Sequence, residues 1–271
     1  MEFSVLISVY YKENSLYLRQ SLDSVINQTI RPTEIVIVKD GPLTECLDSV
    51  IFEYCNKYSN LFKIININKN VGLGKALEQG IKSCKYDLIA RMDSDDICKF
   101  DRFEKQLKQF KKQPELDIVG SYIEEFNENI NDLGCIRKVP VYDTDIKKYI
   151  KKRNPFNHMT VMFKKKAVLD SGNYKELIYA EDYYLWGRMS IKNKKMYNIP
   201  ECLVYARVGN GMYERRGGLT YFKREIKLQK LFLEMQLINR YELINNLLVR
   251  FIARSIPNRI RKKVYVKLLR K

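Results

Sequence analysis

Up to about Lys112, apolar and polar positions come in short alternating blocks whose spacing predicts a strand–helix repeat. Phe3–Tyr10 is apolar and β-branched and predicts a strand. Leu18, Leu22, Val25 and Ile26 recur at helical spacing and predict a helix over Ser15–Gln28, capped by Asn14 or Ser15. Glu34–Val38 predicts a buried strand ended by Asp40-Gly41-Pro42, followed by a helix from about Leu43 to Tyr58. Strand Phe62–Ile67, loop Asn68–Gly72 and helix Gly74–Cys84 come next. Strand Asp87–Met92 then runs into the acidic turn Asp93-Ser94-Asp95-Asp96, with a helix from about Phe100 to Lys112 beyond it. This order predicts an α/β fold whose parallel sheet is covered by helices on both faces. Ligands of such sheets bind at the carboxyl ends of the strands. Ser8–Glu13, Asp40 and Asp93–Asp96 all stand at those ends, so the topology gathers them on one edge.

Beyond Lys112 the pattern is less regular. Ile118–Glu124 and Cys135–Val141 read as strands joined by the polar stretch Phe126–Gly134, and Thr160–Phe163 as a short strand. Glu181–Ile191 reads as a helix, Arg207–Gly218 as a glycine-rich basic loop, and Tyr221–Arg254 as one amphipathic helix, broken at Pro257. With no internal repeat and no low-complexity linker, the simplest division is a catalytic domain over 1–219 and a basic helical extension over 220–271.

Composition narrows the function. Of 271 residues 45% are hydrophobic, enough for a packed core. The six cysteines form no C-x-x-C pair and no cluster with histidine, which excludes a structural zinc and fits a reducing compartment. The N-terminus enters a strand at once, so no signal peptide is expected, and no apolar run is long enough to span a bilayer. The net charge of +17 admits nucleic acid, anionic lipid or phosphorylated ligands as partners. From Leu243 to the end there is no acidic residue, while Arg250, Arg254, Arg259, Arg261, Lys262, Lys263, Lys267, Arg270 and Lys271 are basic. Phe251, Ile252, Ile256, Ile260, Val264, Leu268 and Leu269 interleave with them, a pattern that fits an anionic membrane surface. The alternative is a helix packed on the domain with a solvated basic side. A nucleic-acid reading finds no RRM or zinc-finger pattern, and the acidic turn would repel phosphate without a metal.

The acidic turn is the strongest chemical signal. Three carboxylates in four residues repel one another unless a cation joins them, and hard oxygen ligands suit Mn2+ or Mg2+. An EF-hand is excluded by Ile97 and Cys98 at its inner positions, which leaves a plain helix cap as the rival. Asn70–Gly80 fails as a dinucleotide fingerprint and as a P-loop, because Leu77, Lys69 and Ala76 stand at required positions. It still presents Lys75 at a helix N-terminus, a place for an anion, or else its glycines serve only the turn. Glu181-Asp182 opens an aromatic helix, where acids also simply suit the helix dipole. His158 is the only histidine and no nucleophile elbow is present.

In order, Leu6-Ile-Ser-Val-Tyr10, Glu34-Ile-Val-Ile-Val-Lys-Asp-Gly41, Asn70-Val-Gly-Leu-Gly-Lys-Ala-Leu77, Ala90-Arg-Met-Asp-Ser-Asp-Asp96 and Ala180-Glu-Asp-Tyr-Tyr-Leu-Trp186 resemble family 2 glycosyltransferases of the GT-A fold. The resemblance covers about residues 3–215 and extends to bacterial enzymes of exopolysaccharide, capsule and O-antigen assembly. It implies an inverting transfer from a UDP-sugar to a glycan or lipid-pyrophosphate-linked sugar, at the cytoplasmic face of the membrane and with no nucleic acid involved. Tyr10 would stack on uracil with Ser8 nearby, and Asp40 would accept from its N3–H. Lys75 would face the base or phosphates, Asp93 would hold ribose or donor sugar, and Asp95 would bind the Mn2+ or Mg2+. Asp182 would be the general base, and His158, Glu181 and Trp186 would line the acceptor side. Arg207, Arg215 and Arg216 could clamp a diphosphate. Two departures stand out: Lys39 replaces the family's first aspartate after the second strand, and no histidine follows His158 to complete a metal shell. A catalytically inactive sugar-nucleotide binder is the alternative.

Overall fold

The computed structural model describes residues 1–208 and 218–255. Four strands alternating with three helices come first: β1 (Phe3–Val9), α1 (Ser15–Ile26), β2 (Glu34–Asp40), α2 (Glu45–Lys57), β3 (Phe62–Ile67), α3 (Leu73–Ser83) and β4 (Leu88–Met92). After the acidic turn come β5 (Ile97–Cys98), α4 (Arg102–Lys112), β6 (Ile118–Phe126), β7 (Cys135–Arg137) and α5 (Asp143–Tyr149). A 3-10 turn over His158–Thr160 leads into β8 (Met162–Lys164), α6 (Lys165–Asp170), α7 (Glu181–Ile191) and β9 (Met196–Arg207). The C-terminal helices are α8 (Gly218–Glu234) and α9 (Arg240–Ser255).

One sheet of order β3-β2-β1-β4-β8-β6-β9-β5 organises the chain, with β7 paired to β6. The first four strands are parallel, as the alternating blocks predict. β8 then inserts antiparallel between β4 and β6, while β9 runs parallel to β6 and antiparallel to β5. Both faces of β1 and β2 are buried, which is why they read as continuous apolar runs. Phe3, Val5, Ile7 and Val9 pack with α1, α2 and α4, whereas Leu6, Val36 and Val38 pack with α3. The contact with α3 is close because Gly80 has no side chain: a Cβ there would lie 2.4 Å from Leu6 Cδ1.

Several elements differ from expectation. β9, with 12 residues, has no clear sequence pattern because Pro200 and register shifts opposite Ser121–Ile123 interrupt its alternation. The expected strand over Cys135–Val141 shortens to β7. The single helix expected over Tyr221–Arg254 is two, α8 and α9, split where Gln236 takes φ +60 and Leu237 and Ile238 turn inward. Asn239 restarts the helix with a reciprocal box: its Oδ1 accepts from Glu242 N at 2.8 Å, and its own N–H donates to Glu242 Oε2 at 2.9 Å. That motif, Asn-Arg-Tyr-Glu, was present in the sequence as a restart signal.

Candidate active site

Strand register brings three of the predicted clusters together. Ser8 pairs with Val38 and Val9 with Lys39, so Tyr10 and Asp40 leave neighbouring strand ends. On the other side Ile7 pairs with Met92, so the acidic turn begins beside Ser8. Tyr10 is exposed and stands edge-on to Tyr11 at 6.0 Å. Asp40 is buried, and both its oxygens hold the loop after β3: Oδ1 accepts from Val71 N at 2.7 Å, and Oδ2 from Gly72 N and Asn70 Nδ2 at 3.1 Å each. Any base N–H at Asp40 therefore has to share Oδ1 with Val71. Gly41, at φ +88, lets this loop close in, since a Cβ would lie 2.7 Å from Asn70 N. Lys75, at the start of α3, is exposed and paired with Glu176 at 2.8 Å.

The acidic turn is braced from both sides. Arg91, fully buried on β4, donates to Asp93, and Ser94 Oγ donates to Glu13 Oε2 at 2.5 Å. The ligand atoms of Asp93, Asp95 and Asp96 lie within 4.8 Å of one another. Burial, then Asp93 and Glu13, push Asp95 up to about 7. Burial and the two neighbouring aspartates push Asp96 well above the usual carboxylate range. Asp96 Oδ2 is buried without a hydrogen-bond partner among the described residues. An orphaned buried oxygen within a repelling acidic group fits a hard divalent cation.

Arg207 corrects an expectation. Its main-chain N–H donates to Asp96 Oδ1 at 2.8 Å, its Nε to the Asp95 carbonyl at 3.0 Å and its Nη2 to Gln20 Oε1 at 2.7 Å. The guanidinium lies between the rings of Tyr17 (3.8 Å) and Phe126 (4.4 Å). Engaged this way, it buttresses the acidic turn from behind rather than offering an open fork to a donor. Arg215 and Arg216 lie outside the described residues.

The start of α7 forms the other wall. Asp182 Oδ2 accepts from Asn154 Nδ2 at 2.6 Å. Burial raises the Asp182 carboxyl, while Asn154, the Tyr183 N–H and Arg91 hold it down. Glu181 is pushed up to about 7, first by burial and then by Asp182. Tyr174, buried nearby in the core, shares a 2.8 Å hydrogen bond with His158 Nε2. Burial raises the Tyr174 hydroxyl well above its ordinary range; Arg91 opposes this, and Asp182, Glu181 and Asp93 add to it. Tyr174 and Arg91 thus feel the charges of both the acidic turn and α7, and Glu181 adjoins the start of α3, where a Cβ at Gly74 would lie 3.3 Å from Glu181 Cβ. Trp186, expected to line the acceptor side, is instead fully buried. Phe156, Phe163, Tyr174 and His158 pack around its ring, so it is a wedge under the site and offers no face to an acceptor. His158 is kept neutral, pushed well below its usual range by burial and by Arg91.

Residues 4–171 match the family description "Glycosyl transferase family 2". The chain belongs to glycosyltransferase family 2. This glycosyltransferase is 44% identical over all 271 residues, and all of the relative, to an uncharacterized glycosyltransferase of Haemophilus influenzae. It is 37% identical to the amylovoran biosynthesis glycosyltransferase AmsE of Erwinia amylovora, across 98% of each chain. It is 38% identical, over 100% of its length and 97% of the relative's, to the Escherichia coli UDP-Gal:alpha-D-GlcNAc-diphosphoundecaprenol beta-1,3-galactosyltransferase. Among solved structures, S. aureus TarS 1-349 in complex with UDP-GlcNAc superposes with a TM-score of 0.70 at 17% identity, covering 99% of this chain and 76% of that one. A mannosyltransferase of Pyrobaculum calidifontis in complex with GDP-Man and Mn2+ superposes at 0.65, with 13% identity, over 98% and 80%. The family 2 glycosyltransferase therefore has the expected GT-A fold.

Within this enzyme the five motifs occupy a single edge of the sheet. The sequence reading left out Arg91, Asn154 and Tyr174. Arg91 lies inside the fourth motif and Asn154 four residues before His158, but only the fold shows that Arg91 is buried against Asp93 and that Asn154 reaches Asp182. Tyr174 carries no local signal at all.

Proposed function

We propose that this enzyme transfers galactose, with inversion, from UDP-galactose to the hydroxyl of a sugar carried on a lipid diphosphate. The activity for which the Escherichia coli relative is named supports both substrates, and its near full-length match supports carrying them over. The observation that carries the mechanism is the ionisable pair at the head of α7, which shares the field of buried Arg91 with the acidic turn that Arg91 pairs with.

In this reading Asp182 takes the proton of the acceptor hydroxyl. The acceptor oxygen bonds to the anomeric carbon as the bond from that carbon to the diphosphate oxygen breaks, and the electron pair leaves with UDP. One displacement inverts the centre, so no second carboxylate nucleophile is needed. Asp182 suits the role better than Glu181. Asn154 and the Tyr183 N–H stabilise its ionised form and aim it, whereas Glu181 titrates near 7 and carries a proton for much of the time at neutral pH. Asp93 and Asp95, with Asp96 behind them, would hold Mn2+ or Mg2+, which offsets the charge of the leaving diphosphate. Tyr10 and Ser8 flank the base side, and Asp40 keeps the loop at residues 70–72 against it.

The lipid-linked acceptor puts the reaction at the cytoplasmic membrane surface, which the acid-free, basic C-terminus suits. No helix among the described residues is long and apolar enough to cross a membrane. UDP release is measured with a panel of UDP-sugars and a lipid-diphosphate N-acetylglucosamine acceptor, with and without Mn2+. UDP-galactose with Mn2+ is expected to turn over, and Asp182→Asn to lose at least a hundredfold in kcat. Turnover undiminished in Asp182→Asn removes the base assignment, and no release from any donor favours a sugar-nucleotide binder.

A further inference from the structure

Helix α9 has its polarity reversed. Beyond Arg240 at its first position, its exposed positions through Ile252 are Tyr241, Ile244, Asn245, Leu248, Val249, Phe251 and Ile252, none of them charged. Glu242 and Arg250 point inward instead. Glu242 pairs with Lys151 at 3.1 Å, and Arg250 donates to the Lys152 carbonyl at 2.8 Å and lies 3.7 Å from Glu225. Helix α8 is oriented in the ordinary way, with Lys223, Lys227 and Lys230 exposed. Tyr241 is 79% exposed, and Ile244, Leu248 and Ile252 between 57% and 61%. At steps of three and four residues these side chains fall on one stripe. A contiguous apolar stripe of this kind marks a contact surface.

We propose that the outer face of α9 docks on an anionic lipid surface; the inference rests on the lipid-linked acceptor proposed above. Charge selects this occupant. After Glu242 the chain has no acidic residue and nine basic ones, so whatever the face meets also meets a dense positive charge. A second copy of the chain would bring two such tails together and be repelled, whereas an anionic bilayer takes up the apolar stripe and the flanking charge together.

The inner side of α9 ties this surface to the reaction. Asn246 Nδ2 donates to the Lys151 carbonyl at 2.8 Å and Arg250 to that of Lys152, while Tyr183 Oη on α7 donates to the Ile150 carbonyl at 2.6 Å. Two residues further on, Asn154 holds Asp182. Docked through α9, the enzyme keeps its base at the membrane surface, where a lipid diphosphate presents its sugar.

The test is co-sedimentation of the full chain with phosphatidylcholine vesicles, with and without phosphatidylglycerol, alongside turnover on a water-soluble sugar-diphosphate acceptor. Binding to the anionic vesicles is expected. In Leu248→Glu/Ile252→Glu it should fall at least tenfold, while turnover on the soluble acceptor stays unchanged. Binding undiminished in that variant assigns the contact to the tail alone and overturns the proposal. A concentration-dependent dimer, seen by light scattering and abolished by the same substitutions, gives the face to a second copy and also overturns it. Loss of soluble-acceptor turnover in the wild type overturns the catalytic reading while leaving the vesicle result standing.

Discussion

Replacing Asn154 by alanine isolates what holds the proposed base. Asn154 Nδ2 is 2.6 Å from Asp182 Oδ2, a bond made to a charged acceptor. Such bonds contribute about 1.5–3 kcal/mol, and the partial exposure of Asp182 places this one near the lower end. Since about 1.4 kcal/mol corresponds to one pK unit, removing the donor raises the Asp182 pKa by about one unit. The sign follows from which form is stabilised. The bond favours the carboxylate and opposes the burial that pushes the pKa up. Without it the group stays protonated to higher pH. A general base must be ionised, so the acid limb of the kcat/KM profile should move up by about one pH unit. At a pH well below that limb the rate falls about tenfold, and on the alkaline plateau it largely recovers. Asn154 Oδ1 also accepts from Phe156 N at 3.2 Å, so some loss of Tm accompanies the change. A merely structural role would lower the rate by the same factor at every pH. A uniform loss, or an acid limb displaced downward, refutes the reasoning.

Asp95 and Glu181 both titrate near 7 in the folded protein, above the usual values of about 3.9 and 4.3, so the folded state binds the extra protons between about pH 4 and pH 7. Stability contributed by these groups is therefore lost as pH rises through that window. Melts without divalent ions should show Tm falling by roughly 5 °C from pH 5 to pH 8, with Mn2+ at pH 8 restoring part of it; a flat profile is the contrary result. Arg207→Ala removes the hydrogen bonds to Gln20 and Asp95 and the packing on Tyr17 and Phe126, and should cost about 2–3 kcal/mol in urea unfolding while weakening Mn2+ binding. A higher KM for donor with stability unchanged would instead return Arg207 to the diphosphate. Trp186→Phe should cost about 1–2 kcal/mol of stability and leave the acceptor KM alone, because the indole N–H has no partner among the described residues and the ring is fully buried.

The parallel half of the fold was legible because burial there is uniform. β1, β2 and β4 are covered on both faces, and α1 to α4 each bury a stripe at helical spacing. The second half was not. β9 is bent by Pro200 and exposes Glu201, and β5 has two residues, too few to show a period. α5 buries only Ile146 among its seven residues. Motif order put Asp93, Asp95 and Asp182 forward as site candidates, since chemistry constrains their type and strand ends constrain their place. Roles that depend on direction were beyond the sequence. Arg207 and Trp186 stand at motif positions, but whether such a side chain points into the cleft or away from it is set by partners such as Tyr17, Phe126 and Phe163, which are distant along the chain.

The change from parallel to antiparallel pairing places Arg91 at the centre of the site. Its residue pairs with Leu6 on the parallel side, and its N–H donates to the Val161 carbonyl on the other, where the chain enters β8. Arg91 therefore stands at the seam between the half that carries the acidic turn and the half that carries α7. A buried guanidinium costs stability unless its donors are met, and here Nε and Nη1 have no partner among the described residues. A core built for stability alone would not keep such a group. Its field lowers Asp182, Glu181, Asp95 and Asp96 together, each of which burial drives the opposite way. One positive charge thus keeps both the proposed cation-binding and the proposed proton-accepting carboxylates closer to ionisation at neutral pH. In the proposed reaction, acceptor deprotonation and departure of the diphosphate need both groups ionised together, and the single buried charge at the seam acts on both.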